Sequence, residues 1–253
     1  MKWIEYDLGD LDKAYIYPIG DLHVGDPLFN EKAFKEFVDS IKSKDNAYLI
    51  LMGDLLDCAT KDSIGDTYSA KQNPQQAKKY LINLLQPIKE KVLGVVQGNH
   101  EHRIWKTSGV DVTEDIANAL GCSYNREGLL LNIRLGHTNN PNIRQSYTIY
   151  ATHGVGAGRT IGSKANVMKR ASEEVLANIY VIGNTHQPNV FPDTYHVPDV
   201  IHKKVIALTR YYVNGGSFLS WGGYAEAKMY PPVPTKIVTI ILSGTSKDYK
   251  CIV

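Results

Sequence analysis

Seven polar residues, each placed where an apolar segment of the chain ends, have the types and spacing that metal chemistry needs. They offer carboxylate, amide and imidazole donors and no thiolate, a set that suits Mn²⁺, Fe, Zn²⁺ or Mg²⁺. Seven ligands with one shared carboxylate would hold two adjacent ions, which together activate a water molecule and clamp a phosphoryl oxygen. The seven residues are Asp21, His23, Asp54, Asn99, His153, Asn184 and His186.

The apolar segments before these residues predict the elements that must position them. Each segment has the length and composition of a buried strand, and α/β sheets carry their chemistry at the carboxyl ends of their strands. A single such end is unremarkable, because aspartate and asparagine are common in turns, but five in order indicate a site. The predicted strands span residues 14–20, 47–52, 92–97, 146–152 and 179–183.

Helices are predicted between the first of these strands, which makes βαβ units. Helical spacing runs through residues 33–41 and 74–88, and another helix begins after Asp111. From residue 129 onward strands follow one another, and residues 165–177 are the one helical segment in that half. Strands without intervening helices imply antiparallel neighbours. We therefore predict an α/β fold in which a second, mixed sheet packs on the first.

Composition limits the classes of protein to which the chain can belong. Its 253 residues are 43% hydrophobic and 21% charged, which suits one α/β domain over residues 1–253. A net charge of +2 is too small to indicate nucleic-acid binding by itself. The first 20 residues contain neither a signal peptide nor a membrane span, so we expect a cytoplasmic protein without a membrane partner. Three cysteines without a CxxC pair predict reduced, packed thiols.

Five sequence blocks follow one another in an order found in one enzyme superfamily. They read DLH, GDLLD, GNHE, a single histidine after a strand, and GNTH, from Asp21 to His186. In these blocks the chain resembles the calcineurin-like metallophosphoesterase superfamily over residues 15–218. The resemblance implies two packed mixed β-sheets flanked by helices, a four-layer αββα sandwich. It also implies hydrolysis of phosphate esters by in-line attack of a hydroxide that bridges two divalent metal ions, for which we expect Mn²⁺.

The resemblance assigns the seven residues to the two ions. Members of the superfamily usually carry histidine where this chain has Asn184, and an amide oxygen is a harder and weaker donor. The second ion should therefore be held more loosely and favour Mn²⁺. Alternatively, Asn184 only shapes the turn. By the resemblance, Asp21, His23 and His186 hold one ion, Asn99, His153 and Asn184 hold the other, and Asp54 bridges them.

Residues beside the predicted ligands are candidates for catalysis. By the resemblance, His100 lies near the leaving-group oxygen, where an imidazolium steadies phosphoryl charge or donates a proton. Arg103 could bind a phosphate through two N–H groups, or instead pair with a carboxylate. Asp57 and Glu101 would orient metal ligands without binding metal.

Other polar residues are candidates for substrate contact. Residues 154–159 form a glycine-rich loop that could bring backbone amides close to an anion. Asn214 or Ser217 could hydrogen-bond a substrate oxygen. A basic rim could line one side of the cleft, or its members could lie on a solvated helix face. The rim residues are Arg159, Lys164, Lys169 and Arg170.

Together these features predict a metal-dependent phosphoric ester hydrolase. A phosphodiesterase, in particular a nuclease, is our first choice, because the chain has local basic segments and Arg103 follows the GNHE block. A phosphomonoesterase acting on phosphoproteins or small phosphates is the alternative. From a different class, the chain could be a catalytically silent binding scaffold, which the departure at Asn184 would favour. The partner is thus a phosphate ester, with nucleic acid as one candidate.

Overall fold

The computed structural model describes residues 1–60, 68–156, 160–227, 229–233 and 235–253. Within these ranges the chain forms twelve strands, close to the predicted positions where a prediction was made. They are β1 (Lys2–Asp7), β2 (Lys13–Ile19), β3 (Ala47–Leu51), β4 (Val92–Val96), β5 (Ser123–Asn125), β6 (Leu129–Leu135), β7 (Gln145–Thr152), β8 (Ile179–Ile182), β9 (Asn189–Asp199), β10 (Lys204–Asn214), β11 (Thr239–Ser243) and β12 (Tyr249–Ile252).

Helices connect these strands, and their first residues explain where they begin. Asn73 caps one helix in a capping box with Gln76, and Asp111 caps another by accepting from the Thr113 and Glu114 amides. A 3₁₀ helix, Gln86–Lys91, follows the second α-helix. The α-helices of the described residues are α1 (Glu31–Lys42), α2 (Pro74–Leu85), α3 (Asn99–Ser108), α4 (Val112–Leu120), α5 (Ile161–Glu174) and α6 (Gly223–Ala227).

The strands assemble into two mixed sheets of six strands. The sheet that we call the N-terminal sheet has the order β12-β11-β2-β3-β4-β5, and the C-terminal sheet has the order β1-β6-β7-β8-β10-β9. In the N-terminal sheet β2 to β5 are parallel, as the βαβ pattern predicts. The two halves of the chain nevertheless exchange strands, because β11 pairs with β2 and β1 pairs with β6.

Three apolar layers hold the sheets and helices together. Side chains from both sheets, such as Ile50 and Ile149, pack between the sheets. Phe34 of α1 and Leu81 of α2 pack on the outer face of the N-terminal sheet, and Met168 of α5 packs on the C-terminal sheet. The order of layers is therefore helix, sheet, sheet, helix, which confirms the predicted fold class.

Several elements escape the sequence prediction: the short β5, β12 and α6, and also α3 and β9. Helix α3 begins at the GNHE block, where four polar residues hide its period. Strand β9 contains Pro192 and Pro198, which are tolerated because β9 lies at the edge of its sheet. Parts of two predicted loops, residues 61–67 and 157–159, lie outside the described ranges. None of the helices in those ranges has the length and apolar character of a transmembrane span, and the three cysteines are free, as predicted.

Candidate metal centre

The predicted ligands lie on the loops that leave the carboxyl ends of β2, β3, β4, β7 and β8. Five of them adopt the left-handed backbone conformation, which costs free energy in a residue with a side chain and clusters at functional sites. The chain thus turns sharply at the ends of β2, β3 and β8 and directs these polar side chains toward one another. The five residues and their φ angles are Asp21 (48°), His23 (49°), Asp54 (47°), Asn184 (64°) and His186 (56°).

The loops after β3 and β4 are joined by the carboxylate of Glu101. Its Oε2 accepts from the Asp54 and Gly98 amides at 3.0 Å, and its Oε1 accepts from the Leu56 amide at 2.8 Å. Glu101 is fully buried, and burial together with the nearby Asp54 charge raises its pKa to about 7. Glu101 therefore fixes the backbone that presents Asp54. Its predicted role was to orient a metal ligand, whereas its observed hydrogen bonds come from backbone amides.

Gly98 lets these two loops approach each other. A Cβ atom at this position would lie 2.0 Å from the Asp54 amide nitrogen and 2.2 Å from Asp54 Oδ1. No side chain fits there without moving the Asp54 backbone. The glycine of the GNHE block is thus required by the closeness of the strand ends.

Asp21, His23 and His186 form one compact group of donors. The Nε2 atoms of the two histidines are 3.4 Å apart, and His186 Nε2 is 3.5 Å from Asp21 Oδ1. Burial and the neighbouring His100 and His186 lower the pKa of His23 well below its usual range, so its ring is neutral and carries a lone pair. Asp21 Oδ1 is buried and has no hydrogen-bond partner among the described residues.

His153 and Asp54 form the centre of a second group. His153 Nδ1 donates to the Met52 carbonyl at 2.7 Å, which directs Nε2 toward Asp54 Oδ2 at 3.4 Å and Asn99 Oδ1 at 3.1 Å. Burial would lower the pKa of His153, but the Asp54 charge outweighs it and raises that pKa to about 9. Three electron-rich atoms therefore meet at a place that attracts a cation, whether a proton or a metal ion.

The two buried aspartates have opposite pKa shifts. Burial raises the pKa of Asp21 in spite of the charges of His186 and His153. Burial acts in the same direction on Asp54, but His153, His100 and His23 overcome it and hold the pKa of Asp54 well below its usual value. Asp54 therefore stays negatively charged between the histidines, which suits a ligand shared by two cations.

Asn184 contacts the site through its backbone amide. Its amide donates to Asp21 Oδ2 at 3.0 Å, and its φ of 64° matches the turn that brings His186 back toward Asp21. The expected turn-forming role of Asn184 is therefore present in the structure. Ligation by its side-chain oxygen stays a prediction.

The donors fit a divalent metal centre. In three overlapping groups the candidate ligand atoms lie within 4.8 Å of one another. Oxygen and imidazole donors, a partnerless buried carboxylate oxygen and two facing imidazole nitrogens are all satisfied by cations and left unsatisfied without them. The groups are Asp21, His23 and His186; His23, Asp54 and His100; and Asp21, Asp54 and His153.

His100 and Arg103 lie at the edge of this centre on α3. His100 Nδ1 is 2.6 Å from the Asp57 carbonyl and 3.5 Å from Asp57 Oδ1. Burial would lower the pKa of His100, but Asp57 and Asp54 outweigh burial and raise it. Arg103 Nη1 lies 3.4 Å from His100 Nδ1, and its guanidinium forms no ion pair with a carboxylate of the described ranges. The expected alternative, a salt bridge for Arg103, is therefore absent from that part of the chain.

This geometry can be compared with known proteins. The family model described as calcineurin-like phosphoesterase matches residues 15–214, which is most of the chain. The chain belongs to this family. No protein of curated function matches the sequence.

Solved structures similar to this calcineurin-like phosphoesterase share little sequence with it. Vps29 from Chaetomium thermophilum is 12% identical with a TM-score of 0.44, and the match covers 94% of this chain and 96% of Vps29. The nuclease MPE from Pseudomonas putida is 11% identical with a TM-score of 0.38, covering 94% and 87%. A metallophosphoesterase from Sphaerobacter thermophilus is 11% identical with a TM-score of 0.41, covering 91% and 84%.

The structure corrects two predicted substrate contacts in this family member. Asn214 is fully buried, and its amide donates to the Gly183 carbonyl and the Thr185 hydroxyl. Ser217 donates to the Asp21 carbonyl at 2.6 Å. Both residues therefore stabilise the loops that carry the predicted metal ligands. Sequence reasoning missed this role, although the VNGGSF segment directly after a strand indicates a return past the site.

The predicted basic rim also changes in the structure. Arg159 and the glycine-rich loop beyond residue 156 lie outside the described ranges. Lys169 is exposed and pairs with Asp193 at 3.3 Å, and Arg170 is exposed. Lys164 is buried, with 8% of its surface exposed. The interpretation as a solvated helix face thus holds for Lys169 and Arg170 but is wrong for Lys164.

Proposed function

We propose that this calcineurin-like phosphoesterase is a metal-dependent hydrolase of phosphodiesters, with nucleic acid as the favoured substrate class. The observation that supports the proposal most is the convergence of buried aspartates and histidines into three overlapping groups of donors. Such a cluster is expensive to bury unless cations fill it. A family whose members hydrolyse phosphate esters then gives the cluster its chemistry.

In the proposal the chain holds two divalent cations. When bound, they supply the Lewis acidity that lowers the pKa of water toward neutrality and polarises a phosphoryl oxygen. Asp54 is the shared ligand, because its low pKa keeps it ionised and it shares one group of donors with His23 and another with His153. Asp21, His23 and His186 hold one cation, and Asn99, His153 and Asn184 hold the other.

His100 is proposed as the group that assists the leaving oxygen. A carbonyl only accepts hydrogen bonds, so the contact with the Asp57 carbonyl keeps a proton on His100 Nδ1. The other nitrogen, Nε2, faces the centre at 3.9 Å from Asp54 Oδ2. When His100 is an imidazolium, the form that its raised pKa favours, it also carries a proton on Nε2 and can donate it to an alkoxide that departs from the centre.

Arg103 supports the preference for a diester. It is half-buried beside His100, on the side where the leaving group would lie, and it has no carboxylate partner in the described ranges. A guanidinium in that place can bind a second phosphate of a polynucleotide strand. A small phosphomonoester carries no second phosphate, so this contact favours a polynucleotide.

Hydrolysis assays on a matched pair of chromogenic esters test the proposal. Bis-(4-nitrophenyl) phosphate should be hydrolysed faster than 4-nitrophenyl phosphate, chelation should abolish the reaction, and Mn²⁺ should restore it best. A tenfold preference for the monoester would replace the diesterase by a phosphomonoesterase. With Mn²⁺ present, single-stranded and double-stranded DNA then test the nuclease directly.

The Asp54→Asn variant tests the role of the shared ligand. It keeps the shape of the side chain but removes the charge, so turnover should fall by about a thousandfold or more. Activity within tenfold of the parent would contradict the assignment. Elemental analysis of the parent protein separates an enzyme, with two ions per chain, from a silent scaffold, with none.

A further inference from the structure

Lys164 is a buried lysine that forms no ion pair with a carboxylate of the described residues. Its Nζ donates to Gln187 Oε1 at 2.8 Å, and 8% of the residue is exposed. Burial lowers the pKa of its ammonium group, and no negative charge among the described residues raises it. A single neutral acceptor leaves two of its three N–H donors available.

The helix that carries Lys164 makes a cation still less favourable there. Lys164 lies in the first turn of α5, whose amide dipoles place positive charge at this end. Thr160 caps the helix, and α5 has no acidic residue in its first turn. Positive charge from the ammonium group and from the helix end therefore adds up at this position, and an anion would neutralise it.

The position of Lys164 in the fold places it beside the metal centre. Helix α5 packs against β8 and β10, and β8 ends at the loop that carries His186. Gln187, the partner of Lys164, directly follows His186 on the loop after β8. The ammonium group thus lies beside the loop through which His186 reaches the centre.

We propose that Lys164 is a phosphate-binding residue of this protein, whose ammonium group contacts a phosphate oxygen of the substrate beside the loop of His186. The proposal rests on the function proposed above for the identity of the substrate, but not for the existence of the site. Lys169, five residues later on the same helix, serves as a control, because it is exposed and already paired with Asp193.

Phosphate-induced thermal stabilisation tests the site without catalysis. Inorganic phosphate is titrated against the parent protein, Lys164→Met and Lys169→Met, once with a chelator and once with Mn²⁺. The parent and Lys169→Met should gain equally in melting temperature, whereas Lys164→Met should lose at least half of that gain in both conditions. Equal gains in all three proteins, or no gain in the parent, would overturn the proposal.

The melting temperature without phosphate separates binding from a structural role. Because the ammonium is buried beside a neutral partner, Lys164→Met should melt at the temperature of the parent or above it. If Lys164 served only to hold Gln187, Lys164→Met and Gln187→Leu would melt lower by the same amount and lose phosphate binding equally. That result would also overturn the proposal.

Steady-state kinetics then distinguish which phosphate is bound. For Lys164→Met, KM should rise about tenfold with little change in kcat, the size of one charge-assisted hydrogen bond. A rise with both bis-(4-nitrophenyl) phosphate and a 5′-phosphorylated dinucleotide indicates the reacting phosphate, and a rise with the dinucleotide alone indicates a flanking one. An unchanged KM for both substrates contradicts the proposal. If the parent hydrolyses neither substrate, the proposed function fails, while the phosphate titration still decides the site.

Discussion

The two sheets contribute unequal halves to the metal centre. The N-terminal sheet supplies the loops after β2, β3 and β4, where Asp21, Asp54 and Glu101 are almost completely buried and backbone amides from two loops converge on Glu101. The C-terminal sheet supplies the buried His153 after β7 and a more open loop after β8. There the side chain of His186 is 33% exposed, and Asn184 is half-buried.

The difference indicates that the two halves have different roles in the metal centre. In the N-terminal half, hydrogen bonds to Glu101 fix the backbone that presents Asp54, as a metal site that must be preformed requires. In the C-terminal half, the chain departs from the family pattern at Asn184 and carries the buried Lys164. We infer that the first half sets the metal geometry and that the second half adjusts affinity and substrate.

Gly98→Ala should have the largest effect, since it acts on the N-terminal half. The new Cβ would lie 2.0 Å from the Asp54 amide nitrogen, so the Asp54 loop must move and break its bonds to Glu101. We expect a loss of about 4 kcal/mol or more in the free energy of unfolding, together with loss of bound metal. Urea denaturation and elemental analysis measure the two effects.

Gly156→Ala is the matched control in the C-terminal half, because a Cβ at Gly156 meets no atom of the described residues within 4 Å. Its free energy of unfolding should change by less than about 0.5 kcal/mol. If both alanine variants behaved alike, the N-terminal half would not be the more tightly determined one.

Glu101→Gln should have the next largest effect. An amide group in place of the carboxylate turns an NH₂ toward one of the three backbone amides, which leaves a buried donor without an acceptor. The cost should be about 2–4 kcal/mol, and metal affinity should fall because Asp54 loses its support. If Glu101→Gln kept the metal affinity of the parent, the preformed geometry would have to arise elsewhere.

Asp111→Asn separates stability from metal geometry. Asp111 precedes α4 and caps it, and it accepts hydrogen bonds from Gln97, Tyr124 and Arg126. Its loss should cost about 2 kcal/mol at pH 7, but metal content and kcat should stay at the parent values. A fall in metal content would show that the Asp111 contacts, too, shape the centre.

The cost of Asp111→Asn should depend on pH in a defined direction. Burial raises the pKa of Asp111, but hydrogen bonds from Tyr124, the Glu114 amide and Arg126 outweigh burial and lower it. The charged form thus stabilises the fold above the pKa of the unfolded chain, about 3.9, and this stabilisation disappears as pH falls through the folded value. The difference between parent and variant, measured in chelator, should shrink below about pH 4.

The sequence predicts the N-terminal half better than the C-terminal half, for a physical reason. An apolar strand followed by Asp54 or Asn99 has one plausible arrangement, because parallel strands must end at a common edge. Burial of Lys164, in contrast, depends on how α5 packs on a sheet whose order exchanges strands between the halves. The role of Glu101 was not predicted either, because the sequence does not show whether a carboxylate beside a ligand accepts from a histidine or from a backbone amide.

Asn184 provides the finest test of the comparison, with the smallest expected effect. Asn184→Gly keeps the left-handed backbone and the amide bond to Asp21 but removes the side-chain oxygen. Asn184→His introduces the donor usual in the family, and His23 and His186 already adopt similar φ angles. If the oxygen is a ligand, the weaker metal site should lose about tenfold in affinity in the glycine variant and gain about as much in the histidine variant, that is, about 1.4 kcal/mol each way.

Isothermal titration with Mn²⁺ measures both variants against the parent. If Asn184 serves only the turn, the glycine variant should bind both ions as the parent does, because its backbone already favours a positive φ. The histidine variant would then still gain affinity by adding a ligand that the parent lacks. The glycine variant therefore decides between the two roles, and a tenfold loss confined to one of two binding steps would place the adjustable ligand in the C-terminal half.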